Sequence, residues 1–111
     1  MDKNSRIYVA GHRGLVGSAL VRVLKSKGFN NIVTRTSSEL DLRDARAVTS
    51  FFDETSPEYV FLAAAKVGGI HANNVQRGAF IYDNLMIQTN VIHQSMNASV
   101  KKLMFLGSTC I

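Results

Sequence analysis

The chain has 111 residues, 46% hydrophobic and 19% charged, with 13 Lys and Arg against 8 Asp and Glu for a formal net charge of +5. That is one small globular unit near the lower end of single-core size, without room for a second domain. A lone cysteine, Cys110, excludes an internal disulfide framework and a cysteine-rich zinc site, and fits a reducing compartment. The basic residues (Arg22, Lys25, Lys27, Arg43, Arg46, Arg77, Lys101 and Lys102 among them) are dispersed, so no basic block marks a nucleic-acid partner, and a small anionic ligand explains the surplus at least as well. His71 and His93 stand singly and read as surface or helix-face residues, so no metal site is expected. Met1 to Ser5 carries no apolar signal segment, and no apolar run approaches the roughly 20 residues of a membrane span. The expectation is a soluble cytoplasmic protein with neither membrane nor nucleic acid as partner.

Arg6 to Ala10 reads as a strand that runs into Gly11-His12-Arg13-Gly14-Leu15-Val16-Gly17, three glycines at threefold spacing opening a helix. A tight turn after a strand needs φ values that glycine reaches freely, and a diphosphate approaches the backbone closely only where no Cβ intrudes. The following helix adds unpaired N–H groups, which favour an anion. Leu15, Val16, Ala19, Leu20, Val23 and Leu24 form its expected apolar face, and Gly28 its end. A glycine triplet alone is often only a turn; strand, triplet and amphipathic helix in register favour dinucleotide binding.

Asn31 to Thr36 reads as the second strand. An NAD site places an acid at its end for the ribose 2′-OH; here Arg35 stands there, and Arg13 lies in the glycine loop. Two guanidinium groups converging on a 2′-phosphate favour NADP, the other reading being two solvated surface charges. Asp41-Leu42-Arg43-Asp44 predicts a helix start with Asp41 as N-cap, and Val48, Phe51 and Phe52 supply its buried stripe until Pro57 closes the unit. Tyr59 to Ala65 is a continuous apolar run, as for a parallel strand covered on both faces; its closing alanines admit a ribose or nicotinamide, or serve packing alone.

A long helix is predicted over Ala79 to Asn97 with two apolar lines: Ile81, Leu85, Ile92 and Met96, and Phe80, Ile87 and Val91. One line can face the sheet; the other can face a second subunit or a further segment of chain. Lys102 to Gly107 reads as a fourth strand, followed by Ser108-Thr109-Cys110-Ile111. The pattern predicts an α/β fold, a partial doubly wound Rossmann-type parallel sheet with flanking helices, in strand order 3-2-1-4 with right-handed crossovers. Ligand is then expected at the carboxyl ends of the strands, where Gly11 to Gly17, Arg35 with Thr36, Ala63 to Gly69 and Gly107 to Cys110 lie.

The Gly-x-x-Gly-x-x-Gly spacing resembles the extended short-chain dehydrogenase/reductases. Three stretches, Ala10 to Ala19, Leu62 to Asn74 and Phe105 to Ile111, resemble the GDP-L-fucose synthase family, over the whole 111 residues. His-Arg-Gly and Lys-Val-Gly-Gly-Ile are its discriminating motifs. The resemblance implies epimerisation of GDP-4-keto-6-deoxy-D-mannose at C3 and C5, hydride transfer from NADPH to C4, and a homodimer when full length. It implies cofactor contacts from Gly11, His12, Arg13, Gly14, Leu15, Val16, Gly17, Arg35, Asp41, Leu42, Ala63, Ala64, Ala65, Leu106 and Gly107, and places Ser108 and Cys110 in the active site. A ketone acidifies its neighbouring C–H bonds, so epimerisation needs a base, an acid and a donor to the enolate oxygen. Ser108 suits the donor role, and Cys110 proton abstraction or return if its pKa is lowered; as residues alone they read equally as a strand-end cap and a buried small hydrophobe.

The family's Tyr-x-x-x-Lys pair does not occur: Tyr8, Tyr59 and Tyr82 have no lysine four residues on. The expectation is an amino-terminal part of an NADP-binding Rossmann domain, residues 1–111, inactive alone, with the substrate domain and the rest of the sheet absent. The alternative is a truncated NADP-binding or subunit-interaction module without catalysis.

Overall fold

The computed structural model describes residues 1–63 and 74–105, with only the backbone given for 74–81. Three strand–helix pairs and a last strand alternate along it: β1 (Ile7–Ala10), α1 (Leu15–Ser26), β2 (Ile32–Val33), α2 (Ala45–Thr55), β3 (Tyr59–Leu62), α3 (Asn74–Asn97) and β4 (Lys102–Phe105). Every strand pair is parallel. β1 is buried on both faces, as a central strand of such a sheet must be.

The parallel α/β sheet is as the sequence predicts, but its order is β2-β1-β3-β4 rather than 3-2-1-4. β3 pairs residue for residue with all of β1, from Ile7 with Tyr59 to Ala10 with Leu62, whereas β2 meets β1 only at Ile7 and Tyr8. A two-residue, half-buried β2 offers little edge to an apolar strand, and the α2 crossover carries Tyr59–Leu62 to the far side of β1 instead. β2 is thus shorter than the expected Asn31 to Thr36. β3 is covered unequally on its two faces: Val60 and Leu62 are buried, while Tyr59 and Phe61, packed against the opposite core, are half-buried.

One sheet face, with Tyr8, Ala10, Val60 and Leu62, meets Val48, Phe51 and Phe52 of α2 and Ile87 and Val91 of α3. The opposite face packs Ile7 and Val9 against Leu24, with Val21, Phe29, Tyr59 and Phe61 around them. On α3, therefore, the Ile87–Val91 line faces the core; Leu85 and Met96 of the other line are exposed, and Ile92 packs partly.

The face that α1 buries differs from the expected one. Gly17 and Leu24 are its buried residues, and Leu15, Val16 and Val23 are exposed. The cause is a close approach: a Cβ at Gly17 would stand 1.8 Å from the Gly11 carbonyl oxygen. Bringing Gly17 down onto the turn fixes the helix's rotation, so Val21 and Leu24, four and seven residues on, follow it inward. Gly28, at φ +90, ends the helix as expected.

The N-cap of α2 is Asp44, not Asp41. The Asp44 carboxylate accepts from the N–H groups of Arg46 and Ala47. Asp41 instead builds the preceding turn, accepting from Arg43 N–H at 3.0 Å while its own carbonyl accepts from Asp44 N–H. Both positions suit an Asx motif, and spacing alone does not separate them.

At the amino ends of the strands, Glu58 ties three segments together. Its carboxylate accepts from Arg6 N–H at 3.2 Å and pairs with Lys101 Nζ at 3.1 Å, and its carbonyl accepts from Lys101 N–H at 2.8 Å. Arg6 Nε in turn donates to the Ser56 carbonyl at 2.9 Å. The Arg6 N–H, then Lys101, hold the Glu58 carboxyl below the usual glutamate value.

Two outcomes follow. Gly17→Ala should cost about 3 kcal/mol or abolish folding, because the obstructing atom is backbone. Gly14→Ala, where the added Cβ would meet its nearest atom at an ordinary 3.5 Å, should cost at most about 1 kcal/mol; urea unfolding of both variants measures the contrast. Because the Glu58 pKa is lowered on folding, its contribution is present above the unfolded value and is lost as pH falls through the folded one. Glu58→Gln should therefore be less stable at neutral pH and lose less on acidification, and parallel stability–pH profiles for the two proteins would contradict this.

Candidate functional site

A cleft of about 490 Å³ opens at the carboxyl ends of β1, β2 and β3, within the roughly 300–1,000 Å³ typical of ligand sites. Its first wall is the glycine turn, with Gly11, His12, Arg13 and Gly14. Gly11 takes φ +87, a left-handed conformation that side chains resist, and Gly14 N–H donates to its carbonyl at 3.1 Å to close the turn. Gly14 then caps α1 with no side-chain hydrogen bond, and no acidic residue occupies the first helical turn. A helix start with its N–H groups left open and no competing carboxylate suits a bound anion.

The second wall follows β2 and carries Arg35, Thr36, Ser37 and Ser38. Arg35 Nη1 donates to the Thr34 carbonyl at 2.8 Å, and among the described residues no carboxylate forms an ion pair with it. Thr36 N–H donates to the Glu39 carboxylate at 2.8 Å, and Glu39 and Leu40 N–H return to the Thr36 carbonyl. The Thr36 backbone and hydroxyl hold the Glu39 carboxyl below its usual range, with smaller help from Arg35 and His12. The acid near this wall is thus bound into a turn, and Arg35 lines the cleft beside Thr36, Ser37 and Ser38.

Leu40, Asp41, Leu42 and Arg43 form the third wall, with Ala63 and Ile87 adding apolar surface. This segment is fastened to α3 at two points. Asn90 Nδ2 donates to the Leu42 carbonyl at 2.9 Å, and Arg43, held by both carboxylate oxygens of Asp41, reaches Asp83 at 3.5 Å. A polar loop held by a helix across 48 residues of sequence is a wall fixed by tertiary structure.

Eight of the residues expected at a cofactor site therefore line one cleft: Gly11, His12, Arg13, Gly14, Arg35, Asp41, Leu42 and Ala63. Leu15 and Val16 stand exposed on the first turn of α1, outside the lining, and Gly17 is buried beneath the turn. Ala64, Ala65, Leu106, Gly107, Ser108 and Cys110 lie outside the described residues. Ser37, Ser38, Leu40, Arg43 and Ile87 line the cleft without having been singled out. The polar Thr-Ser-Ser run directly after Arg35 was the available signal for the two serines; nothing local marks Ile87, which arrives from a distant helix. Among the described residues no group of three or more His, Cys, Asp or Glu is placed to hold a metal ion, and no helix is long and apolar enough to cross a membrane.

GDP-L-fucose synthase 1 of Arabidopsis thaliana is 61% identical over 110 residues, 99% of this chain and 34% of that protein. GDP-L-fucose synthase of Escherichia coli K12 is 53% identical over 106 residues, 96% of this chain and 33% of that one. Among solved structures, MlghC, a GDP-mannoheptose C4 reductase from Campylobacter jejuni with NADP bound, superposes with a TM-score of 0.92 at 56% identity, covering 96% of this chain and 32% of its own. The chain thus spans about a third of the length of the relatives it matches. The model of the NAD dependent epimerase/dehydratase family matches residues 7–111, nearly the whole of the chain and the glycine turn and cleft walls within it, and the chain belongs to that family.

Proposed function

We propose that this chain forms the NADP-binding part of a GDP-L-fucose synthase, which epimerises GDP-4-keto-6-deoxy-D-mannose at C3 and C5 and reduces it at C4. The observation that carries the cofactor reading is the meeting of Arg13 and Arg35 in one cleft with the glycine turn. The glycine turn and the start of α1 would hold the diphosphate; Arg35, Arg13 and the hydroxyls of Thr36, Ser37 and Ser38 would hold the 2′-phosphate. Leu40, Leu42 and Ile87 would give a purine its apolar surface. NADPH, when bound, supplies the hydride. The NADP bound to MlghC supports the same choice.

The substrate reading rests on the fucose synthases at 53–61% identity. Ser108 and Cys110 are the proposed donor and acid/base residues, and a homodimer belongs to the same proposal. The exposed line of Tyr82, Leu85 and Met96 on α3 offers an apolar face for it. A second reading is favoured by the C4 reductase at 56% identity: reduction of a GDP-4-keto sugar without epimerisation. Because the chain spans only 34% of its Arabidopsis relative, these 111 residues alone are expected to bind the dinucleotide without turning over a keto sugar.

The test is differential binding. Arg35→Ala should weaken NADPH by about 1.5–3 kcal/mol, the range for a hydrogen bond to a charged group, and leave NADH nearly unchanged. Fluorescence titration of both cofactors measures it, and an equal loss for both would remove the 2′-phosphate assignment. For the complete protein, incubation with GDP-4-keto-6-deoxy-D-mannose and NADPH in deuterium oxide separates the two substrate readings. Deuterium at C3 and C5 is expected for the synthase, and reduction without exchange for the reductase.

A further inference from the structure

Arg35 lies with its guanidinium carbon 5.2 Å from the centroid of the Phe51 ring, inside the roughly 6 Å over which a ring face attracts a cation. Phe51 does not line the cleft; it lies beneath Arg35, in the core cluster that also holds the cleft residues Leu40 and Ile87. The ring is itself fixed: it is buried, packs 4.5 Å from Tyr8 and stands nearly perpendicular to Phe52 at 5.8 Å. Burial raises the Tyr8 phenol far above its usual range despite the opposing pull of Arg35, so the aromatic floor stays uncharged.

We propose that Phe51 is a positioning residue for nucleotide selectivity, holding the Arg35 guanidinium at the cleft wall before a 2′-phosphate arrives. The proposal rests on the reading of the cleft as an NADP site. Its physical basis is preorganisation. An arginine that wanders in water surrenders rotamer freedom when it binds a phosphate, while one already held has little left to lose. Two contacts hold Arg35 here, the Thr34 carbonyl and the Phe51 face, and the Thr34 bond engages only one nitrogen. The remaining guanidinium N–H groups are left for an anion. A carboxylate in the same holding role would compete with the phosphate for those donors; a ring face does not.

Adenosine 2′,5′-bisphosphate and 5′-AMP differ only by the 2′-phosphate, and their dissociation constants give its contribution without any turnover. Phe51→Leu should weaken the bisphosphate about five-fold and leave 5′-AMP unchanged, and Phe51→Tyr should restore the unsubstituted ratio. In an Arg35→Ala background, Phe51→Leu should change the ratio no further. Should Phe51→Leu fail to fold, trifluorophenylalanine at position 51 keeps the ring's shape and removes most of its negative face, and the same drop in ratio is expected. Equal weakening of both ligands, or an unchanged ratio with the fluorinated ring, overturns the proposal. A 2′-phosphate preference that is absent from the unsubstituted protein, or that survives Arg35→Ala, overturns the reading of the cleft and this proposal with it. A preference lost in Arg35→Ala but kept in both Phe51 variants overturns the proposal alone.

Discussion

The missing side chain at Gly17 sets the geometry of everything around the cleft. With no Cβ there, α1 lies directly on the Gly11 carbonyl, and helix and strand meet at a distance no other residue permits. That contact fixes the rotation of α1, so Val21 and Leu24 become its core residues and Leu15 and Val16 are turned outward. It also fixes where the first helical turn begins relative to the end of β1, which makes the turn between them a defined wall rather than a loose loop. Gly11 and Gly14 have different reasons for being glycine. The first needs a left-handed φ; the second caps a helix beside the cleft and keeps its surface open.

The two ends of the sheet are built from different chemistry. At the amino ends, Arg6 and Lys101 share the one Glu58 carboxylate across segments far apart in sequence. At the carboxyl ends, Arg13 and Arg35 have no ion pair among the described residues, and Glu39 is bound to Thr36. Surface pairs such as those of Glu58 contribute little each. What the Glu58 group does is join the starts of β1, β3 and β4, while Arg13 and Arg35 line the cleft with no ion pair among the described residues.

Much of this was legible in the sequence because the relevant signals are local. The glycine spacing, the arginine where an acid would stand, and the apolar run of β3 each depend on a few adjacent residues, and the cleft gathers Gly11, Arg13, Gly14 and Arg35 as their pattern required. What the sequence misplaced was decided by tertiary contact. Asp41 and Asp44 are equivalent cap candidates by spacing, and the helix starts at the second because Asp41 is occupied with Arg43. The exposed face of α1 follows from one backbone contact that hydrophobic periodicity does not register. Strand order failed for a related reason: it depends on β2 being too short to flank a full strand, and strand length is the property that propensity defines least. Ile87 and Asn90 join the site from α3 only because the helix docks there.

The parallel arrangement also constrains how this chain reaches its folded state. Neighbouring strands in the sheet are joined only through helical crossovers, so the contacts at Glu58 close loops of 52 residues to Arg6 and 43 to Lys101. Loop-closure entropy must be lost before any such pairing is repaid, which makes long-range parallel pairing slow compared with helix formation. Helical contacts are local and close short loops, so they are expected to form faster than the sheet pairings. β1, paired on both sides and buried throughout, is the element on which those closures converge, so the folding barrier is expected to concentrate in the docking of its two neighbours.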